Sequence, residues 1–276
     1  MTDRIPYADT VIFTGRFGSG KSETAINYAI SLGRRLPRGE GAPGSDKGRP
    51  VGAVLIDLDI VTPYFRSRET ADRLLKLGVR VVAPSVIGQH LDTPAITPQI
   101  LGAIQQSDLP VVLDVGGDKQ GARALGQFST AISQGGYTMH FVVNPYRPFT
   151  DTLAGVRSSI AEIEASSRLQ VSSLVSNPNL IGETTVEQIL QGHAQIERYG
   201  QALGLPIAFV CVERQWVDAL LAGDSGGSTG GPFAQPVLVL DRYFVLSWEP
   251  GSPDEQSTTT GDTVRSLDTQ GGKERP

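Results

Sequence analysis

Residues 15–22 run Gly15-Arg16-Phe17-Gly18-Ser19-Gly20-Lys21-Ser22, a complete G-x-x-x-x-G-K-S pattern. Its glycines let the backbone curl tightly and turn its N–H groups inward, onto an anion. Lys21 is placed to reach the outer phosphates of a nucleoside triphosphate, and the Ser22 hydroxyl to ligate Mg²⁺. The apolar run Thr10–Thr14 precedes the loop and a helical pattern over 22–36 follows it. A helix N-terminus, with Glu23 in its first turn, therefore faces the same anion. Every residue from Gly15 to Glu23 is a candidate nucleotide contact, and strand, glycine loop and helix is the context that separates such a loop from a chance match.

A phosphate loop works with acids that hold the metal and place the attacking group. Two apolar runs end in acids: Val54-Leu55-Ile56-Asp57-Leu58-Asp59 and Val111-Val112-Leu113-Asp114-Val115-Gly116-Gly117-Asp118. In an open α/β sheet, ligands bind beyond the carboxyl ends of the strands, where these acids fall. A carboxylate that merely caps a turn or helix accounts for either run alone; two such runs behind one glycine loop favour chemistry. Asp114 reads as the Mg²⁺-holding acid, and the Gly117 N–H as a sensor of the γ-phosphate.

Behind these residues, apolar and helical segments alternate. Predicted strands are Thr10–Thr14, 51–58, 79–83, 111–115, 139–143, 171–175 and 207–212; predicted helices are 22–36, 66–77, 97–107, 121–134, 150–165, 185–203 and 214–222. Alternation of this kind predicts right-handed βαβ units. The strands are nearly all apolar rather than alternating, as expected when helices cover both faces. The expected fold is a three-layer α/β P-loop NTPase with a mainly parallel sheet of about seven strands. Residues 1–222 would form the nucleotide-binding domain, 223–236 a Gly/Ser linker, 237–248 an edge element packed on the core, and 249–276 a disordered tail. A Gly/Pro-rich stretch, 37–50, reads as a surface loop.

The glycine loop, the D-x-D after the second strand and the apolar-Asp-x-Gly-Gly strand resemble the MinD/ParA/CobQ-type P-loop ATPases of the SIMIBI class. Residues 57–69, Asp-Leu-Asp-Ile-Val-Thr-Pro-Tyr-Phe-Arg-Ser-Arg-Glu, are similar to a little-characterised bacterial and archaeal subgroup of them, as are Asp114–Asp118 and Asn144–Thr150. The resemblance spans roughly residues 8–248. It implies that Asp59 orients the water attacking the γ-phosphate, that Asp57 supports Mg²⁺, and that Lys21, Asp59 and Asp114 are the catalytic set. It also implies an asparagine for purine recognition: Asn177, after the sixth strand, with Asn144 lining the same pocket. Either Asn-Pro pair is equally a turn signal. ATP and Mg²⁺ are the implied ligands, with a homodimer and an unidentified protein partner. The alternative within the same motifs is a synthase of the cobyrinate or dethiobiotin kind, which phosphorylates a carboxylate substrate; Arg66, Arg68 or Arg147 would then face the γ-phosphate.

Dimer-forming members carry a lysine one residue after the first loop glycine, where this chain has Arg16. Three readings stay open: contact with a partner's phosphates, exposure to solvent, or pairing with an acid of its own subunit. The N-K-x-D motif of many GTPases is absent from the sequence, which favours ATP.

Composition bounds the rest. A formal net charge of −5 over 276 residues gives no general basic field for nucleic acid. The single cysteine, Cys211, excludes an intrachain disulfide and reads as a packing residue. No apolar run suits a leader or a membrane anchor, and the expected location is cytoplasmic. His90, His140 and His193 lack metal-site spacing and read as structural.

Overall fold

The computed structural model describes residues 8–35, 51–59, 68–82, 98–106, 108–222 and 232–243. The chain divides into two units, Met1–Arg242 and Tyr243–Pro276, and the elements below belong to the first. They run β1 (Thr10–Thr14), α1 (Lys21–Arg35), β2 (Ala53–Leu58), α2 (Arg68–Lys76), β3 (Val79–Val82), α3 (Pro98–Gln106), β4 (Val111–Val115) and α4 (Lys119–Gly126). There follow α5 (Ser129–Gly135), β5 (Thr138–Val143), α6 (Leu153–Ser167), β6 (Ser173–Ser176), α7 (Val186–Leu203), β7 (Ile207–Glu213), α8 (Arg214–Ala222) and β8 (Val237–Leu240). The readings placed on 36–50, 60–67, His90, 223–231 and 244–276 lie outside the described residues.

The strands form one parallel sheet in the order β3-β2-β4-β1-β5-β6-β7-β8. Among the described residues it has eight strands, because the last apolar run, expected as an edge element, pairs with β7. β1, β2 and β4 are buried along their whole length. Alternation sends successive side chains to opposite faces. Ile12 joins a core with Leu113, Phe141, Leu125 of α4, Ile132 of α5 and Ile163 of α6. Its neighbour Phe13 turns the other way, into an aromatic group with Tyr28 of α1, His140 and Phe209; its ring centroid lies 5.2 Å from those of Tyr28 and His140. Burial holds the His140 imidazole neutral, with its pKa lowered to about 4, and Ser173 Oγ meets its Nδ1 at 2.6 Å. Cys211 is buried at Thr24 Oγ1, and burial pushes its thiol up to about 12.

Local chemistry sets the helix limits. Thr185 and Gln188 form a reciprocal capping box at the start of α7, and Gly204 ends that helix in a left-handed conformation. The single helix expected over 121–134 is two helices. Asp118 caps α4 from the front, accepting from the Gly121 N–H at 2.8 Å. The chain then leaves helical geometry at Phe128, whose ring enters the core, and restarts at Ser129. The sixth strand begins at Ser173 rather than Val171, because the Val171 N–H is taken by Glu164 Oε1 at 2.9 Å and not by a neighbouring strand.

Candidate functional site

The sheet order decides which residues meet. β1 has β4 on one side and β5 on the other, so the chain reverses its direction of travel across the sheet at β1. This is the switch point at which open α/β sheets bind ligands. The glycine loop leaves the carboxyl end of β1 at that point. Phe13 is in register with Asp114 on β4, and Asp114 with Asp57 on β2. Residues about 100 positions apart in sequence thus end side by side under one loop.

The loop is braced from below. The Ser19 N–H donates to Arg16 O at 3.0 Å, closing a turn, and Thr24 Oγ1 returns to Gly20 O at 2.9 Å. Asn177 Nδ2 donates to Ser19 O at 2.7 Å. Gly20 has φ +81, and a Cβ there would collide with that same Asn177 amide, so glycine is required twice over. Asn144 Nδ2 donates to Asn179 O at 2.7 Å and reaches Gly18 O at 3.5 Å. Both asparagines expected to line a purine pocket are therefore buried struts of the loop. Two residues that sequence reasoning missed continue this network: Asn179 Nδ2 donates to Glu213 Oε1 at 2.5 Å, at the end of β7. Only the repeated asparagine in Asn177-Pro178-Asn179 hinted at it.

The charged centre lies at the start of α1. Lys21 Nζ pairs with Asp59 Oδ2 at 2.7 Å, and both side chains are buried. Asp57 Oδ1 accepts the Asp59 N–H at 2.9 Å, which fixes the backbone just beyond β2. Asp114 is wholly buried, and burial raises its pKa from 3.8 to about 6; Lys21 and the Ser22 hydroxyl offset part of that rise, and Asp59 adds to it. Neither Asp114 carboxylate oxygen has a hydrogen-bond partner of good geometry among the described residues. A buried carboxylate left in this state is costly, and a bound cation is one arrangement that relieves it. The donors fit a hard divalent cation such as Mg²⁺, which takes a hydroxyl, one or two carboxylates and phosphate oxygens rather than an all-protein cage. Among the described residues, no group of three His, Cys, Asp or Glu side chains forms such a cage.

Gly15, Gly18, Ser19, Gly20, Lys21, Ser22 and Glu23 all stand in the loop or the first turn of α1. Phe17 is at its tip, 79% exposed. Gly117 packs backbone to backbone on the loop, where a Cβ would land on Gly15 O. Arg16 reaches α6: its Nε donates to Ser159 Oγ at 2.8 Å and its guanidinium pairs with Glu162 at 2.5 Å. It thus pairs with an acid of its own subunit, one of its three readings. Asp57 and Asp59 are described, but the rest of the D-x-D block, 60–67, is not. No helix among the described residues is long and apolar enough to cross a membrane.

A parallel α/β sheet with a glycine loop at its switch point defines the P-loop class of fold. No protein-family model matches the chain, and no curated protein sequence matches it. Solved structures of similar fold include chloroplast FtsY from Physcomitrella patens, at 16% identity and a TM-score of 0.47, covering 76% of this chain and 60% of that one. The cell division protein FtsY from Thermotoga maritima gives 16% identity and a TM-score of 0.46, with 76% and 63% covered. The signal recognition particle receptor FtsY from Elizabethkingia anophelis, in complex with GDP, gives 16% and 0.40, with 73% and 55% covered. The chain thus spans less than two thirds of the length of each.

Proposed function

We propose that this chain is a Mg²⁺-dependent ATPase of the MinD/ParA type, a slow nucleotide switch that acts on a protein partner. The observation that carries the reading is the convergence of Lys21, Ser22, Asp59 and Asp114 under a braced glycine loop. In this reading Lys21 exchanges Asp59 for the β- and γ-phosphate oxygens. Asp59, released, accepts a hydrogen bond from the attacking water and aligns it with the β–γ bridge bond. The loop N–H groups and Lys21 stabilise the charge that develops as that bond breaks. Ser22 and Asp114 hold Mg²⁺, with Asp57 in support; the ion, when bound, neutralises charge on the phosphates. The Gly117 N–H reports the γ-phosphate, and Asn144 and Asn177 lie on the purine side. The missing N-K-x-D motif supports ATP over GTP. A homodimer, a cytoplasmic location and no nucleic-acid partner complete the reading.

Two substitutions test it. Lys21→Ala removes ATP binding, whereas Asp59→Ala retains binding and loses hydrolysis; normal hydrolysis by Asp59→Ala contradicts the role given to that residue. Size-exclusion chromatography with light scattering, in ADP and in ATP, then reads the switch: an ATP-dependent dimer that persists in Asp59→Ala supports it.

One observation favours a second reading, phosphoryl transfer to a carboxylate substrate. Arg147 packs against Gly18 of the loop, and its Nε is buried without a hydrogen-bond partner among the described residues. A guanidinium so placed suits an acceptor carboxylate. Faster phosphate release on adding small dicarboxylates, lost in Arg147→Ala, selects this reading over the first.

A further inference from the structure

Among the described residues, Arg16 is engaged from several elements of its own chain. Besides Ser159 and Glu162, its Nη1 reaches Gly117 O at 3.5 Å, and its guanidinium lies 5.5 Å from the centre of the Phe149 ring. An isolated surface ion pair contributes little. Here the Arg16 side chain is 20% exposed, and a hydroxyl, a carboxylate, a carbonyl and a ring all meet it. Phe149 itself is held at a φ of +69, a conformation few side chains adopt. The turn that carries it is closed by Thr150, whose hydroxyl donates to Asn144 O at 2.7 Å and to Arg147 O at 3.2 Å. The turn that carries Phe149 is thus tied to the same Asn144 that reaches the glycine loop.

The contact with Gly117 gives this arrangement a consequence. Gly117 stands three residues after Asp114 and lies directly on Gly15 and Arg16. Arg16 therefore joins three parts of the site: the glycine loop by its backbone, the loop after β4 through Gly117 O, and α6 through Ser159 and Glu162.

We propose that Arg16 is a positioning residue that acts in cis: paired with Glu162, it clamps the loop after β4 onto the glycine loop, so that each subunit completes its own nucleotide site. The proposal rests on the nucleotide-site reading above. It assigns to Glu162, which lies 146 residues from Arg16 in the chain, a part in turnover without contact with the nucleotide. An arginine engaged in this way is not available to a partner's phosphates.

Three measurements on the full-length chain test the clamp, using whichever of Mg·ATP and Mg·GTP the wild type hydrolyses. First, Arg16→Ala and Glu162→Ala each lower kcat by roughly tenfold while KM moves by less than about threefold, because a misplaced loop harms the transition state more than binding. Second, the double variant is no worse than about twofold below Arg16→Ala, since the two residues act as a pair. Third, mixing Arg16→Ala with Lys21→Ala restores nothing, because an intact Arg16 in one subunit cannot serve the site of another. Restored turnover in the mixture, or additive losses in the double variant, overturns the cis clamp while leaving the nucleotide reading intact. A wild type that binds neither fluorescent ATP nor fluorescent GTP overturns both. Arg16→Lys, which keeps the charge but cannot span Ser159, Glu162 and Gly117 together, stays close to the alanine variant; full activity in that variant also counts against the clamp.

Discussion

Asp114→Asn should stabilise the nucleotide-free protein while it removes Mg²⁺-dependent turnover. Asp114 is wholly buried with its pKa raised from 3.8 to about 6. At ~1.4 kcal/mol per pH unit, holding that carboxylate ionised at pH 8 costs about 3 kcal/mol of folding free energy. Asparagine has the same shape and no charge, but its amide adds a buried donor that costs about 1–2 kcal/mol if unpaired. A net gain of ~1–2 kcal/mol remains, worth roughly 2–6 °C in Tm for a chain of this size. The sign of the pH dependence is diagnostic. A carboxyl whose folded pKa is raised contributes its full stability below its unfolded value, and that contribution is lost as pH rises through about 6. The advantage of asparagine should therefore be largest at pH 8 and shrink towards nothing at pH 5, where only about half of the ionisation cost is still felt. Thermal melts of both proteins in EDTA at the two pH values are the assay. Adding Mg·ATP should raise the wild-type Tm and leave the variant unmoved. A variant less stable than wild type at pH 8, or a difference independent of pH, refutes the account of Asp114.

Two more outcomes follow from the surroundings of the site. Asn177→Ala deletes the 2.7 Å bond to Ser19 O and should weaken nucleotide affinity roughly tenfold, by titration with a fluorescent analogue; unchanged affinity would mean the loop needs no strut. His140, held neutral with its pKa lowered from 6.5 to about 4, supplies stability that is present above 6.5 and lost as pH falls through 4. At most about 3 kcal/mol is at stake. Urea titrations of Asp114→Asn, with and without His140→Phe, should show that acid-side loss only while the imidazole is present.

The sequence was most legible where one local rule governs. β1 and β4 lie at their expected limits because both are short, mainly apolar and bounded by turn residues. The placing of Asp57 and Asp114 side by side followed from their shared position at strand ends, since a parallel sheet brings such ends to one edge. What stayed hidden depends on tertiary contact. Nothing near Phe128 in sequence signals that its ring will enter the core and divide one helix into α4 and α5. The partners of Arg16 on α6 are 143 and 146 residues away, and a helix register fixes them only after folding. Glu213 resembles any acid at a strand end until Asn179 reaches it. The asparagines were given a purine role by the family resemblance alone; that their amides also reach loop carbonyls shows only once the fold brings β5 and β6 beside β1.

The central claim is that the Lys21–Asp59 pair gives way to a triphosphate. Isothermal titration of the full-length chain with a non-hydrolysable ATP analogue and Mg²⁺ tests it most directly, on the wild type, Lys21→Ala and Asp59→Ala. The account predicts one site per chain in the wild type, no binding in Lys21→Ala, and binding at least as tight in Asp59→Ala, where no carboxylate competes for the lysine. Binding that survives Lys21→Ala, or is lost in Asp59→Ala, contradicts it.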